Sequence, residues 1–175
     1  MYEIRIHSRG GQGGVTAARL IATAAFRDGK HATATPFYGA ERRGAPIIAF
    51  ARIDEDPIRI YSQVQNPDLV VVLDRTLVRV VKVLAGLKPH GAVIVNSSHA
   101  VTLEHQRVHH VDLTGIALAE DLVIAGEPVL DTPVLGAIAR LGVISLGSAT
   151  KAISEMFPDP RNVSAAERAY RELVL

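Results

Sequence analysis

A glycine-rich segment near the start of the chain is the first place where residue types and spacing suggest chemistry. Residues 8–14 read Ser-Arg-Gly-Gly-Gln-Gly-Gly, and they stand between a strand-like run and a helix-like run. Glycine adopts positive φ without steric cost and admits a ligand or another backbone, so such a loop either cradles an anion or makes a close contact. Gln12, a large polar residue among glycines, favours a side chain that is presented to a partner.

The known phosphate-binding motifs fit this loop only in part. A dinucleotide site needs G-x-G-x-x-G, and Ser8 stands where its first glycine should be. Such a site also needs an acidic residue after the second strand, and residues 33–36 contain none. A P-loop needs a lysine that is missing near this segment. A tight strand-to-helix turn without a ligand stays open as the structural alternative.

A second loop, at residues 36–46, reads Pro-Phe-Tyr-Gly-Ala-Glu-Arg-Arg-Gly-Ala-Pro. It follows the second predicted strand, so we expect it to lie beside the first loop. Its arginines could bind an anion through forked hydrogen bonds or anchor a protein interface, and a solvated charged loop is the alternative. The two loops together supply the candidate site residues: Arg9, Gly10, Gly11, Gln12, Gly13, Tyr38, Gly39, Glu41, Arg42, Arg43 and Gly44.

The other polar candidates are weaker. Five histidines lie between residues 90 and 110, but no H-E-x-x-H pattern accompanies them, so solvated or capping roles are expected rather than a metal site. Asp74 ends an apolar run and is interpreted as a cap for the next helix rather than as a catalytic acid. We find no Gly-x-Ser-x-Gly elbow and no paired carboxylates, so the chain is not expected to contain a complete catalytic site.

Composition narrows the class of protein and its partners. A chain of 175 residues with 48% hydrophobic and 21% charged residues predicts a single globular domain spanning 1–175. A net charge of +1 with both signs interspersed argues against nucleic acid as a partner. The lack of cysteine excludes disulfides and iron–sulfur ligation by this chain. Neither a signal-peptide pattern nor an apolar run of membrane-spanning length is seen, so we expect a cytoplasmic protein without membrane contact.

Periodicity and breakers predict the elements that carry these loops. Strands are predicted at 2–7, 31–35, 47–53, 69–73, 92–96 and 108–111, with a hairpin extension at 58–61. Helices are predicted at 15–26, 76–84, after Asp112 to 122, 133–141, 147–156, and from a Ser164–Glu167 capping box to about 173. This alternation predicts one doubly wound, mostly parallel sheet with helices on both faces, a Rossmann-like three-layer α/β fold.

The two glycine motifs together resemble one family, the gamma subunit of 2-oxoacid:ferredoxin (acceptor) oxidoreductases of the pyruvate:ferredoxin oxidoreductase type. The family opens with a strand, G-R-G-G-Q-G and an alanine-rich helix, and residues 8–13 match this motif with Ser8 replacing the first glycine. Its second motif is matched by residues 38–46, and the segments 66–71 and 132–137 also resemble it. The family often has asparagine where this chain has Asp131.

The resemblance implies a subunit of a larger enzyme. In that family thiamine diphosphate is held by the alpha and beta subunits, and [4Fe-4S] clusters lie in the beta and delta parts. Mg²⁺ is likewise expected in other subunits, and this chain would bind no cofactor alone. The complex decarboxylates a 2-oxoacid such as pyruvate, usually forming acyl-coenzyme A and reducing ferredoxin or another acceptor. The gamma subunit would pack on the catalytic subunits and shape access for coenzyme A, with Arg9, Gln12, Arg42 and Arg43 facing the alpha subunit or the coenzyme A path. A stand-alone nucleotide-binding protein and a purely structural adaptor are the alternatives.

Overall fold

A six-stranded sheet organises the chain. The computed structural model describes residues 1–37, 44–104 and 107–175. The strands lie in the order β2-β3-β1-β4-β5-β6, where the ranges are β1 (Tyr2–Arg9), β2 (His31–Phe37), β3 (Pro46–Asp54), β4 (Leu69–Val72), β5 (Ala92–Asn96) and β6 (Val108–Val111). Strands β1, β4, β5 and β6 run parallel, whereas β3 is antiparallel to both of its neighbours, β1 and β2. The mostly parallel α/β fold is thereby confirmed, with an antiparallel edge formed by β2 and β3.

Six helices and one small hairpin complete the described chain. The helices are α1 (Gly14–Arg27), α2 (Leu77–Val80), α3 (Leu113–Ala119), α4 (Pro133–Arg140), α5 (Leu146–Met156) and α6 (Arg161–Glu172), and the hairpin joins β7 (Val123–Ile124) to β8 (Glu127–Pro128). Helices α1, α3, α4, α5 and α6 share one core with the side chains on one face of the sheet. The opposite face is covered by the single turn α2 and by coil segments around residues 81–87 and 101–103. Both faces are therefore covered, but only one of them by a full layer of helices.

The predicted helix at 76–84 is wrong beyond residue 80, and a long-range contact explains why. Arg5, buried on β1, donates from its guanidinium to the carbonyls of Val83 at 2.9 Å and Ala85 at 2.5 Å. The helix ends before Val81, whose backbone is extended at φ −131° and ψ 154°. A buried guanidinium needs acceptors, and here the backbone of residues 83–85 supplies them, so this segment forms a turn over the sheet instead of continuing the helix.

Two other sequence predictions are also corrected. Residues 58–61 form no strand, because β3 is already flanked by β1 and β2 and offers no free edge. The capping box at Ser164 is wrong because α6 begins at Arg161, where the Asp159 carboxylate accepts from the Arg161 backbone N–H at 3.0 Å. The cap at Asp112 is confirmed, since its carboxylate accepts from the Gly115 N–H at 2.8 Å.

The start of α4 is where the helical layer approaches the glycine loop. The predicted Thr132–Pro133 start is confirmed, but the Thr132 hydroxyl does not cap the helix. It donates instead to Asn162 Oδ1 at 3.1 Å on α6. A Cβ at Gly136 would overlap the Ala166 carbonyl, so glycine allows the close approach of α4 and α6 that brings Asn162 to Thr132.

Candidate functional site

The glycine loop lies at the carboxyl end of β1 and leads directly into α1. Gly11 has φ +97° and Gly13, the residue before the helix, has φ +80°, which side chains with a Cβ rarely adopt. No side chain caps the first turn of α1. From β1 the chain runs through α1 to β2 on one side of the sheet, and after β3 it crosses to β4 on the other side of β1, so the loop stands at the switch point where open α/β sheets bind ligands.

Ser8, the departure from the glycine pattern, is an ordinary strand residue. Ser8 pairs with Ile47 in the β1–β3 ladder and is 1% exposed. Its hydroxyl lies against Gly14, where an added Cβ would overlap Ser8 Oγ. The side chain at position 8 is therefore accommodated because position 14 has none.

Arg9 and Gln12, expected to face a partner, are engaged within the chain. The Gln12 side-chain oxygen accepts from the Arg9 backbone N–H at 2.8 Å. The Arg9 guanidinium donates to Asp74 Oδ2 at 2.8 Å, to the Gly44 carbonyl at 2.9 Å and to Thr76 Oγ1 at 2.8 Å. Arg9 thus joins the glycine loop to the turn after β4 and to the residues before β3.

The end of the second predicted loop lies beside the first. The Gly10 N–H donates to the Ala45 carbonyl at 3.0 Å, and the Gly44 N–H donates to the Gly10 carbonyl at 3.2 Å. Five of the predicted site residues, Tyr38, Gly39, Glu41, Arg42 and Arg43, lie outside the described residues. Their roles stay predictions, as do the partner-facing roles of Arg9, Gly10, Gly11, Gln12, Gly13 and Gly44.

Asp74 closes the turn that follows β4, but it does not cap α2 as predicted, because the residue before that helix is Thr76 and no side chain caps it. Its carboxylate accepts from the Thr76 N–H at 2.8 Å and from the Thr76 hydroxyl at 2.6 Å, besides pairing with Arg9. Partial burial raises its pKa, but the hydrogen bonds from Thr76 and Arg9 outweigh burial, and the pKa of Asp74 falls below its usual value. The carboxylate is therefore held ionised as the partner of Arg9.

A cleft of about 740 Å³ opens between the glycine loop, the β7–β8 hairpin and the start of α6. Apolar side chains contribute much of its wall, namely Ile47, Leu122, Val123, Ile124, Val129, Leu130 and Phe157. The polar groups at the cleft include Gln12, Asp131, Arg161 and Asn162. Its volume lies within the range of about 300–1,000 Å³ that is typical of small-molecule and cofactor sites.

Asp131 is the buried acid of this cleft, and the sequence reading missed it as a site residue. It is 8% exposed, and an added Cβ on Gly13 would come within 2.8 Å of the Asp131 Cβ. Its Oδ1 has no hydrogen-bond partner within the described parts of the chain. Burial raises the pKa of Asp131 to about 6, although backbone N–H groups oppose that change. One feature of the sequence could have identified Asp131 as a site residue: it is an acid that directly precedes the Thr-Pro start of a helix at the carboxyl edge of the sheet.

The histidines do not gather around the cleft. His109 is buried on β6 and burial lowers its pKa, while His90 and His99 are exposed. Burial and the neighbouring Arg5 lower the pKa of His7 to about 4. Within 1–37, 44–104 and 107–175, no three His, Asp or Glu side chains are arranged to hold a metal ion. Over the same ranges, no helix is long and apolar enough to cross a membrane.

These features define a class first: an α/β fold with a glycine-rich strand-to-helix turn and a cleft at the sheet's switch point. Residues 3–172 match the family model for pyruvate ferredoxin/flavodoxin oxidoreductase. The chain belongs to this family.

Relatives and solved structures agree with that assignment. The pyruvate synthase subunit PorC of Methanothermobacter marburgensis is 51% identical, over 99% of this chain and 98% of the relative. The pyruvate/ketoisovalerate oxidoreductases common subunit gamma of Thermococcus kodakarensis is 48% identical, over 100% and 98%. The crystal structure of pyruvate oxidoreductase subunit PORC from Thermotoga maritima superposes with a TM-score of 0.84 at 35% identity, covering 99% and 97%.

A more distant likeness shows the fold alone. It is to 2-oxoglutarate:ferredoxin oxidoreductase from Magnetococcus marinus with 2-oxoglutarate, coenzyme A and succinyl-CoA bound. The TM-score is 0.77 at 18% identity, and the match covers 97% of this chain and 30% of that one. The fold of this chain therefore also occurs as one part of a longer oxidoreductase chain.

The contact between Ser8 and Gly14 gives a first prediction. Gly14→Ala should lower the free energy of unfolding by about 1–3 kcal/mol, because the new methyl group overlaps Ser8. In the double variant Ser8→Gly/Gly14→Ala the overlap is gone, so most of that loss should be recovered, as urea unfolding would measure. Equal losses in the single and double variants would contradict this packing.

Asp131 gives a prediction about pH. Its folded-state pKa of about 6 exceeds the usual value of 3.8 for an aspartate, so ionisation destabilises the folded state, and stability falls as pH rises between those two values. Asp131→Asn should therefore raise the free energy of unfolding by about 1–3 kcal/mol at pH 7.5, with the gain shrinking below pH 6. The exposed Asp56→Asn is the matched control and should show no such dependence. If Asp131→Asn raised the free energy of unfolding equally at pH 5 and pH 7.5, the claim that Asp131 ionises in a buried position would be refuted.

Proposed function

We propose that this chain is the gamma-type subunit of a multi-subunit 2-oxoacid oxidoreductase that oxidatively decarboxylates pyruvate or a related acid. The observation that carries the proposal is the 51% identity to a pyruvate synthase subunit over almost the full length of both chains. The acyl group would pass to coenzyme A and the electrons to ferredoxin or another acceptor.

The chemistry would reside in other subunits. The chain contains no cysteine, so the [4Fe-4S] clusters would be bound by thiolates of its partners. Thiamine diphosphate would be held by alpha- and beta-type subunits, the clusters by beta- and delta-type parts, and Mg²⁺ likewise outside this chain. One relative is named as a gamma subunit common to pyruvate and ketoisovalerate oxidoreductases, which favours substrate choice outside the gamma subunit.

The surface around the cleft is the part of this chain that we assign to the partners and to coenzyme A. The uncapped N-terminus of α1 favours negative charge, and the cleft has apolar walls and the volume for a nucleotide-sized group. Beside it, Val123 is 40% and Ile124 is 69% exposed on the hairpin tip, which suits a surface covered by another subunit. Arg42 and Arg43 would approach the same surface, because the loop that carries them ends at Gly44 beside Gly10.

The stand-alone nucleotide-binding alternative has less support. Its ribose-binding acid is missing from the end of β2, and Asp131, the buried acid at this edge, precedes α4 instead. Purification of the affinity-tagged chain from its native source distinguishes the two alternatives. We expect a brown complex that retains larger subunits, releases thiamine diphosphate on denaturation, and oxidises pyruvate in the presence of coenzyme A. A colourless single chain would contradict the proposed function.

The same preparation tests the assigned surface. Arg42→Ala/Arg43→Ala should raise the KM for coenzyme A about tenfold or more, or reduce recovery of the complex by a similar factor, because charge-assisted contacts are lost. Arg19→Ala/Arg171→Ala, which removes two exposed arginines on α1 and α6, is the matched control and should change neither quantity. Unchanged assembly and unchanged coenzyme A dependence in the Arg42/Arg43 variant would refute the assignment.

A further inference from the structure

One stretch of the chain carries charge of a single sign. Residues 75–103 contain four Lys or Arg residues and no Asp or Glu, although the whole chain has 19 basic and 18 acidic residues. In proportion to length, about three acids would be expected there. The asymmetry is therefore local, in a chain whose net charge is only +1.

The structure places three of these cations together on the outer side of the second sheet layer. Leu77 and Val83 point inward and are buried in the small core over β4 and β5. Arg75, Arg79 and Lys82, spaced four and three residues apart, are exposed on or beside the helical turn of α2. We call these three residues the basic ridge. None of their side chains forms an ion pair or hydrogen bond with the described part of the chain.

The lack of acids in residues 75–103 sets the basic ridge apart from the helical layer. On the helical layer, Arg27, Arg161 and Arg168 are each paired with an acid, whereas the exposed Arg19, Lys151 and Arg171 are not paired within the described residues. Lys88, the fourth cation of the stretch, is paired with Asp68 at 2.8 Å. Only Arg79 lies within α2, and Lys82 follows the extended residue Val81. Like charges on one short segment repel each other, so the ridge does not stabilise its own fold.

The ridge is also fixed in position and borders the candidate site. Arg9 bonds to Asp74 and Thr76 at the start of the turn, and Arg5 holds the carbonyls of Val83 and Ala85 at its other end. Val80, between the cations, is 60% exposed. Protein interfaces are enriched in arginine and contain apolar side chains at their centre. Because the backbone of the ridge is already held in place, little conformational freedom would be lost on binding.

We infer that the basic ridge of Arg75, Arg79 and Lys82 docks an acidic protein surface of another subunit in the same complex. This inference rests on the proposed function. The unpaired cations supply the electrostatic complement, and Val80 supplies apolar contact at their centre. Nucleic acid is disfavoured as the occupant, because three cations in a chain of net charge +1 are far from a continuous basic stripe.

The test measures binding of this chain to the immobilised remaining subunits of the complex, between about 0.05 M and about 0.5 M salt. Wild type should bind tightly and lose affinity as salt rises. Arg75→Glu/Arg79→Glu should weaken binding about tenfold or more at low salt, because like charges would then face each other. Arg75→Gln/Arg79→Gln should be weakened less and show a flatter salt dependence. Circular dichroism and thermal unfolding should show that both variants fold as wild type does.

The control is Arg19→Glu/Lys151→Glu, which makes the same change in net charge at exposed positions of α1 and α5. It should bind as wild type does. Equal binding and equal salt dependence of the ridge and control variants would overturn the docking surface while leaving the proposed function standing. Failure of wild type to bind any oxidoreductase subunit would overturn both. Salt-sensitive self-association of the free chain that is lost in the ridge variant would show a second copy as the occupant and refute the inference.

Discussion

The three hydrogen bonds of the Arg9 guanidinium are the interaction on which the site depends most. They join the end of β1 to Asp74 and Thr76 after β4 and to Gly44 before β3. These segments meet at the carboxyl edge of the sheet, on both sides of its switch point, and none is connected to another by a short loop. Because a guanidinium presents its donors in a fixed plane, one side chain sets the relative positions of all three.

The second layer of the sheet depends on charged residues in a way that the helical layer does not. Arg5 and Arg52 are 7% and 2% exposed, and each reaches a polar partner: Arg5 the carbonyls of residues 83 and 85, and Arg52 the carboxylate of Glu3 at 2.9 Å. Leaving either guanidinium unpaired would be costly, so the overlying coil has to follow the positions of these donors. This requirement explains how a nearly helix-free layer can present α2 and its cations in a defined place.

The sequence predicted those parts of the fold that depend on local pattern. The apolar run at 69–73 and the glycines after β1 identified a buried parallel strand and a strand-to-helix loop, because burial on both faces and positive φ leave local signatures. The antiparallel direction of β3, the end of α2 and the true start of α6 were not predicted. Each depends on a partner that is distant in sequence or on competition between neighbouring caps. At the site, the sequence predicted the glycine loop. It could not predict the internal hydrogen bonds of Arg9 and Gln12 or the burial of Asp131, because these depend on which distant segments meet in the fold.

The central claim is that the glycine loop and the cleft beside it form the surface that this subunit shares with the catalytic subunits. Amide hydrogen exchange, compared between the free chain and the assembled complex, tests it most directly. We expect slower exchange in the complex at residues 9–14 and 121–131, with exchange at residues 142–147 on the helical layer unchanged. Unchanged exchange in the loop and cleft, with protection at 142–147 instead, would contradict the claim.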